Sequence, residues 1–260
     1  GEAQQGNSYA FEDSSSLYAS LKFLSIYNKN LTKKNLSYFT ENNYFNTGKI
    51  HRRKSEEGII HDYPHYFQMV LDNDPDLDLF AVRLSENGNF LLSRNIENFN
   101  KFSEDYVGEV EANFWGTQFD IYDNGVEKSL FDKLNPYVFN ERRLLGKIIY
   151  ETNIMGECPR YFNSELFTGQ QGEIQKHCLK NLEPEWNAKL NCYCLNFYGR
   201  VKKASARNFQ MIYPNETDDI LLQHGKENSN EFNIDFREPF NYVTAFAHSL
   251  VSIGSKRVVS

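Results

Sequence analysis

One segment near the C-terminus constrains the fold more than any other part of this 260-residue chain. Between Phe240 and Ile253, apolar residues occupy nearly every side of a helix and no charged residue interrupts them. Pro239 can start such a helix and Gly254 can end it. A helix that is apolar all round is buried, yet this one is shorter than the ~20 residues that a membrane span needs. The rest of the protein therefore has to enclose it.

The chain from residue 48 onward is predicted to form many short strands. It has 16 Tyr and 21 Phe, and aromatic side chains favour the half-buried surface of a sheet. Glu86-Asn87-Gly88 is a hairpin signal. We interpret 126–140 and 163–185 as longer connecting segments between strands. This pattern indicates a sandwich or a closed barrel, with strands predicted at 80–84, 89–93, 118–122, 144–150, 193–201, 208–213, 220–223 and 232–236.

Residues 1–47 are predicted to be a polar extension that precedes a domain covering 48–260. Leu17, Leu21 and Leu24 have helical spacing, which predicts a short amphipathic helix from about 15 to 28. Such a helix either packs on the surface of the domain or binds an unknown protein partner. The Asn- and Lys-rich residues 28–47 are interpreted as a linker.

Composition excludes some classes of function. A net charge of −7 argues against a general nucleic-acid binder, which would carry a basic footprint. No Gly-rich phosphate loop, nucleophile elbow or His-Glu-x-x-His sequence is present, so no enzymatic activity and no cofactor is predicted. We expect free thiols and no bound metal, because no four-ligand set accompanies the four cysteines, namely Cys158, Cys178, Cys192 and Cys194.

Several sequence motifs, which follow one another in a fixed order, resemble the C-terminal domain of the tubby family. The resemblance covers about residues 48–257, and it implies a closed barrel of about twelve strands with the hydrophobic C-terminal helix threaded through its centre. The motifs that carry the resemblance are Asn113 to Gly125, Tyr150 to Asn153, Trp186-Asn187, Leu195 to Gln210, Gln223 to Lys226, Phe232 to Asp235 and Ala245 to Ala247.

The resemblance also implies a function. Tubby domains bind phosphatidylinositol 4,5-bisphosphate, and so the chain is expected to be a monomeric, non-enzymatic adaptor that is cytoplasmic and peripheral at a membrane. Some relatives carry a partner toward cilia, which makes a cilium or flagellum a candidate compartment. A protein-interaction barrel that has lost lipid binding is the alternative. A transcriptional regulator is the least favoured function.

Of the residues with which the family contacts the lipid head group, some have a counterpart of the same type in this chain and others do not. Its asparagine corresponds to Asn89, and its last arginine to Arg142, with Arg143 beside it. The family's other lysine and arginine correspond to Glu109 and Glu111. Two residues separated by two positions on a strand share one face, so two negative charges stand where the family has two positive ones.

This charge inversion predicts weak lipid binding. Like charges at about 5 Å repel by roughly 3 kcal/mol at an effective dielectric near 20. The alternative is that Glu109 and Glu111 are exposed charges in a rearranged rim, with a weaker basic site nearby formed from Arg83, Arg94, Arg142, Arg143 and Lys147.

The remaining candidate residues are a second group of basic residues, at positions 200–203, and one histidine. We interpret Arg200 first as structural and Lys202 and Lys203 as solvated, with a secondary anion-binding surface as the minority interpretation. His248 interrupts the apolar C-terminal segment. It is interpreted as a buried, hydrogen-bonded histidine rather than a ligand.

Overall fold

The structure is a computed structural model that describes residues 45–54, 65–77, 79–133, 140–151, 161–169 and 172–254. The helix expected at 15–28 lies outside these residues. Two helices are found in the described part of the chain, α1 (Lys128–Phe131) and α2 (Tyr242–Gly254). The strands are β1 (Asn46–Lys54), β2 (His65–Leu71), β3 (Leu79–Arg83), β4 (Phe90–Ser93), β5 (Tyr106–Ala112), β6 (Gln118–Asp123), β7 (Leu144–Tyr150), β8 (Phe162–Thr168), β9 (Gln175–Asn181), β10 (Glu185–Asn187), β11 (Cys192–Cys194), β12 (Phe209–Ile212), β13 (Leu222–Lys226) and β14 (Glu231–Phe236).

Twelve of these strands form one closed antiparallel barrel. Their order is β1-β14-β13-β12-β9-β8-β7-β6-β5-β4-β3-β2, and β10 and β11 pair separately as a small hairpin. Closure leaves the barrel with no free sheet edge. Alternate residues point inward, as Phe67, Met69 and Leu71 do on β2. The expected mainly β fold is confirmed.

Helix α2 fills the interior of this barrel. All of its residues are buried, and its side chains reach strands on different sides. His248 Nε2 lies 2.7 Å from Ser164 Oγ on β8, and Ser249 Oγ lies 3.0 Å from His224 Nδ1 on β13. The helix also packs against β5, β6 and β7. The expectation of an enclosed C-terminal helix is therefore confirmed. Among the described residues, no helix has the length and apolar character that crossing a membrane requires.

The start of α2 is set by capping rather than by the proline. Asn241 Oδ1 accepts a hydrogen bond from the backbone N–H of Thr244 at 2.8 Å, and Thr244 Oγ1 accepts one from the N–H of Asn241 at 3.0 Å. This reciprocal pair satisfies two free N–H groups of the first turn. The helix consequently begins at Tyr242, two residues after Phe240.

Two strand predictions were wrong. The stretch 163–185 is not a long connecting segment, because it contains barrel strands β8 and β9. Polar residues at buried inward positions, such as Ser164 and Asn181, hide the alternation of both strands. The strand predicted over 193–201 shrinks to β11, because the chain turns at Tyr198 and Gly199, where φ is +51° and +79°. The hairpin at Glu86-Asn87-Gly88 is confirmed.

Candidate functional site

Asn89, Glu109, Glu111 and Arg142 come together on the outer face of the barrel. Val110 is buried in the core, and because side chains alternate along a strand, its neighbours Glu109 and Glu111 point outward. Asn89 directly precedes β4. Its Oδ1 accepts a hydrogen bond from the N–H of Ala112 at 2.8 Å, which fastens it to the end of β5.

Arg142 is held by both glutamates. Its Nη1 donates to Glu109 Oε1 at 2.5 Å and to Glu111 Oε1 at 2.7 Å, and its Nη2 donates to Glu111 Oε2 at 3.3 Å. The guanidinium also lies over the ring of Tyr122, 3.8 Å from the ring centroid. The Arg142 side chain is only 16% exposed. The arginine that the resemblance assigns to the head group is thus already held by two carboxylates of the protein.

Lys101 and Glu127 extend this arrangement into a larger cluster. Lys101 Nζ forms an ion pair with Glu109 and a second one with Glu127 Oε1 at 3.4 Å. We call these five residues the Arg142 cluster: Lys101, Glu109, Glu111, Glu127 and Arg142. One carboxylate oxygen from each glutamate lies within 4.8 Å of the others, and two cations neutralise them in part. The cluster carries one more negative than positive charge, which disfavours an anionic ligand.

The electrostatics keep Arg142 charged. Burial alone would lower its pKa, but hydrogen bonds and charge interactions with Glu111 and Glu109 outweigh burial and raise the pKa above its ordinary value. Hydrogen bonds that favour a charged form act in this direction. The guanidinium therefore remains a cation whose Nη1 and Nη2 groups already donate to carboxylates.

Arg143 does not join the cluster. Its backbone N–H donates to Asp123 Oδ1 at 2.9 Å, and its Nε lies 3.7 Å from Asp123 Oδ2. Burial raises the pKa of Asp123, and hydrogen bonds from the N–H groups of Arg143 and Gly125 oppose that rise. The structure therefore gives Arg143 a role in fixing the turn before β7.

The alternative, a rearranged rim in which both glutamates are exposed, does not hold for Glu109. Glu109 is buried rather than exposed. Arg83 is also buried, and it donates to the backbone carbonyls of Ser85 and Glu86 at 3.0 and 2.9 Å. Among the described residues, the glutamates are satisfied from within the protein.

Sequence reasoning missed Lys101, Tyr122 and Glu127. The β5–β6 hairpin could have revealed Tyr122, because its register places that residue directly opposite Glu109. Lys101 lies in the β4–β5 connection and Glu127 follows β6. No local pattern marks either of them, since their contacts depend on how loops from different strands meet.

The second group of basic residues is largely neutralised. Arg200 Nε lies 3.0 Å from Asp235 Oδ2 and its Nη2 lies 2.7 Å from Oδ1, while Lys202 forms an ion pair with Glu227. These are contacts that the structural interpretation of Arg200 predicts. Lys203 is exposed, and its backbone N–H donates to the carbonyl of Lys226 at 3.2 Å.

Two aromatic side chains stand exposed in the turn of the β5–β6 hairpin. Phe114 and Trp115 in the β5–β6 connection are 80% and 76% exposed, and their rings pack edge to face with centroids 5.1 Å apart. The amide of Asn87 donates to the carbonyl of Phe114 at 3.1 Å, and Asn113 Oδ1 accepts from the N–H of Thr117 at 2.8 Å. Both bonds brace the connection that presents the pair.

These features define a class of protein, a closed antiparallel barrel built around its own C-terminal helix with a polar site on its outer face. The Tub family model matches residues 40–171 and 164–255. The chain therefore belongs to the Tub family.

Individual relatives agree with this assignment. Tubby protein homolog 1 of Caenorhabditis briggsae is 32% identical over 75% of this chain and 52% of its own length. Tubby-related protein 2 of Mus musculus is 33% identical over 75% of this chain and 39% of its own length. Tubby-related protein 1 of Homo sapiens is 30% identical over 75% of this chain and 40% of its own length. The chain spans about half or less of the length of these three relatives.

Proposed function

We propose that this domain is a non-enzymatic tubby-like adaptor at a membrane surface that binds phosphatidylinositol 4,5-bisphosphate much more weakly than a tubby domain with the full basic set. One observation carries the proposal: Arg142 donates its hydrogen bonds to Glu109 and Glu111. A phosphate at this position would have to displace both carboxylates and then remain beside them. A cytoplasmic membrane face, with a cilium or flagellum as the compartment, belongs to the same proposal.

The size of the effect follows from charge separation. One phosphate charge about 5 Å from one carboxylate meets a repulsion of roughly 3 kcal/mol at an effective dielectric near 20. That energy corresponds to more than about a hundredfold in affinity. Screening by salt reduces the contribution of the exposed side of the site.

Liposome flotation with charge-reversed variants tests the proposal. Vesicles of phosphatidylcholine with and without phosphatidylinositol 4,5-bisphosphate are mixed with the unmodified protein and with the Glu109→Lys/Glu111→Arg variant. We expect weak binding by the former and strong, salt-sensitive binding by the latter, lost again when Arg142→Ala is added. Glu216→Lys/Asp218→Arg is the matched control, because it makes the same change of charge at two exposed positions with the same spacing.

Two results would overturn the proposal. One is tight, isomer-selective binding by the unmodified protein, since the Arg142 cluster would then not block the head group. The other is equal binding by the control and by the Glu109→Lys/Glu111→Arg variant, since net charge rather than this site would then govern binding.

A protein-interaction barrel that has lost lipid binding is the second candidate, and the exposed pair of Phe114 and Trp115 favours it. Exposed tryptophan and phenylalanine are enriched where proteins bind one another. If the charge-reversed variant folds but still fails to bind vesicles, this second candidate is preferred. A role in transcriptional regulation has no supporting observation in the described residues.

A further inference from the structure

The small hairpin of β10 and β11 carries two thiols on one face. Cys192 and Cys194 are free and lie two residues apart on β11, so their side chains share a face. Trp186 and Tyr193 pair on the opposite face with ring centroids 5.1 Å apart. Asn187 Oδ1 accepts hydrogen bonds from two N–H groups of the connecting turn. The thiols therefore sit on a braced hairpin rather than on a simple loop.

The distance between the sulfur atoms suits a shared metal ion. The two Sγ atoms are 3.4 Å apart. Two thiolates on one tetrahedral Zn²⁺, with Zn–S bonds of about 2.3 Å, lie roughly 3.8 Å apart, close to the separation found here. A disulfide would need an S–S distance of about 2.05 Å and a Cα separation of at most about 6.8 Å. Two residues along a strand already span about 6.6–6.8 Å, so a disulfide would fit this strand poorly.

The partner strand offers a third ligand. Glu185 lies directly opposite Cys194 in the antiparallel register, and side chains of opposite residues share a face with Cβ atoms about 5 Å apart. The Glu185 side chain is exposed, so its carboxylate can turn toward the sulfur atoms. Cysteine sulfur and carboxylate oxygen are both accepted ligands of Zn²⁺. In this structure neither Cys178, the third described cysteine, nor the Glu185 carboxylate lies within 4.8 Å of both sulfur atoms, so Glu185 has to change its side-chain rotamer to complete the site.

We propose that Cys192 and Cys194, with Glu185 as a third ligand, form a surface site for a thiophilic divalent cation of the Zn²⁺ and Cd²⁺ type. Each thiol gives up its proton to solvent as its sulfur binds the cation, and a water molecule completes the tetrahedron. The site is independent of the Arg142 cluster. It revises the expectation that no metal binds, because residue spacing offered two ligands and the strand pairing adds a carboxylate.

Titration of the reduced full chain with Cd²⁺, after treatment with a chelator, tests the proposal. Thiolate-to-cadmium charge transfer in the ultraviolet reports sulfur ligation, and native mass spectrometry reports stoichiometry. We expect one Cd²⁺ per chain, competed by Zn²⁺. The Cys192→Ser/Cys194→Ser variant should lose the absorption, while Cys158→Ser/Cys178→Ser, which removes the same number of cysteines, should keep it. Glu185→Gln should weaken binding by roughly tenfold, the lower end of the loss seen when a supporting carboxylate is removed.

Three results would overturn the proposal. The first is no charge-transfer absorption at one equivalent of Cd²⁺ in the unmodified reduced protein. The second is equal loss in the Cys158→Ser/Cys178→Ser control, which would place the ligands elsewhere. The third is ready formation of a Cys192–Cys194 disulfide in air together with no metal binding under reductant. Far-ultraviolet circular dichroism of every variant confirms that folding is retained.

Discussion

Arg142 and Arg200 are two arginines that sequence analysis connected with anion binding, and in both the guanidinium is paired with carboxylates of neighbouring strands. Asp235, the partner of Arg200, is buried and also accepts a hydrogen bond from Gln223 Nε2 at 2.6 Å. Gln223 in turn accepts one from Gln210 at 3.1 Å. The Arg200 pair therefore belongs to a hydrogen-bonded relay that joins a connecting segment to the barrel.

The Arg142 cluster reaches the surface through Glu111 and Glu127, although Arg142 and Glu109 themselves are 16% and 6% exposed. Glu111 and Glu127 are 40% and 48% exposed, so water can replace part of what Arg142 and Lys101 provide. The comparison teaches that the surroundings of an ion pair, rather than its distances, decide its role. A buried pair with further hydrogen bonds supports the fold, because breaking it leaves an uncompensated charge. A pair that reaches solvent contributes little to stability and can change with little cost to the fold.

The largest loss of stability should come from a substitution in the barrel interior, and the losses at both arginine sites can be compared with it. Phe246 on α2 is fully buried, so Phe246→Ala should reduce the free energy of unfolding by about 3–5 kcal/mol. Urea denaturation measures this change. Phe114→Ala is the matched control at an exposed position and should change stability by less than about 0.5 kcal/mol. A loss below about 1 kcal/mol for Phe246→Ala would mean that α2 is not a central packing element.

Asp235→Asn tests the structural side of the comparison. It removes the charge that Arg200 and Gln223 both contact, and we expect a loss of roughly 1–3 kcal/mol, below the value for a fully buried pair because Arg200 is partly exposed. Urea denaturation measures the loss. Vesicle binding by the Glu109→Lys/Glu111→Arg background should not change. If Asp235→Asn instead reduces that binding, the two arginine sites are not independent.

The pH dependence of stability should report on a buried histidine of the barrel interior rather than on either arginine site. Burial lowers the pKa of His248 from 6.5 to about 4, opposed by its hydrogen bond to the carbonyl of Thr244. The unfolded chain therefore binds more protons than the folded chain between these pH values, and stability falls as pH is lowered through this window.

His248 should contribute roughly 1 kcal/mol of that loss between pH 6.5 and 5.5. Thermal denaturation across this range, compared with His248→Asn, isolates the contribution. His224 is buried as well, and burial lowers its pKa to about 3, so it should leave a residual slope in the variant. A slope that is unchanged by His248→Asn would contradict the prediction.

The smallest effect should come from Glu111→Gln, the counterpart of Asp235→Asn in the Arg142 cluster. Each substitution removes one carboxylate from an arginine and keeps the side chain nearly the same in shape. Glu111 is partly exposed and Glu109 still pairs with Arg142, so the free energy of unfolding should change by about 0.5 kcal/mol or less. The same urea assay compares the two variants. Equal losses would remove the distinction between the sites.

The fold could be predicted largely from local pattern. The apolar segment that ends at Ile253, which contains no charged residue, required an enclosure, and the turn signals placed most strands. Where the pattern failed, as in β8 and β9, polar residues at buried inward positions obscured a period of two. The start of α2 differs from the expected position because Asn241, rather than Pro239, caps the helix, and its capping partner lies three residues further along.

The sequence by itself determined the family, the barrel with its buried helix, and the two acidic residues at 109 and 111. Only the tertiary structure decided what those residues contact. It placed Arg142 against Glu109 and Glu111, brought Lys101 in from a loop, and set Glu185 opposite Cys194. The physical reason is that periodicity along a strand shows which side chains share a face, whereas the groups across from that face come from distant parts of the chain.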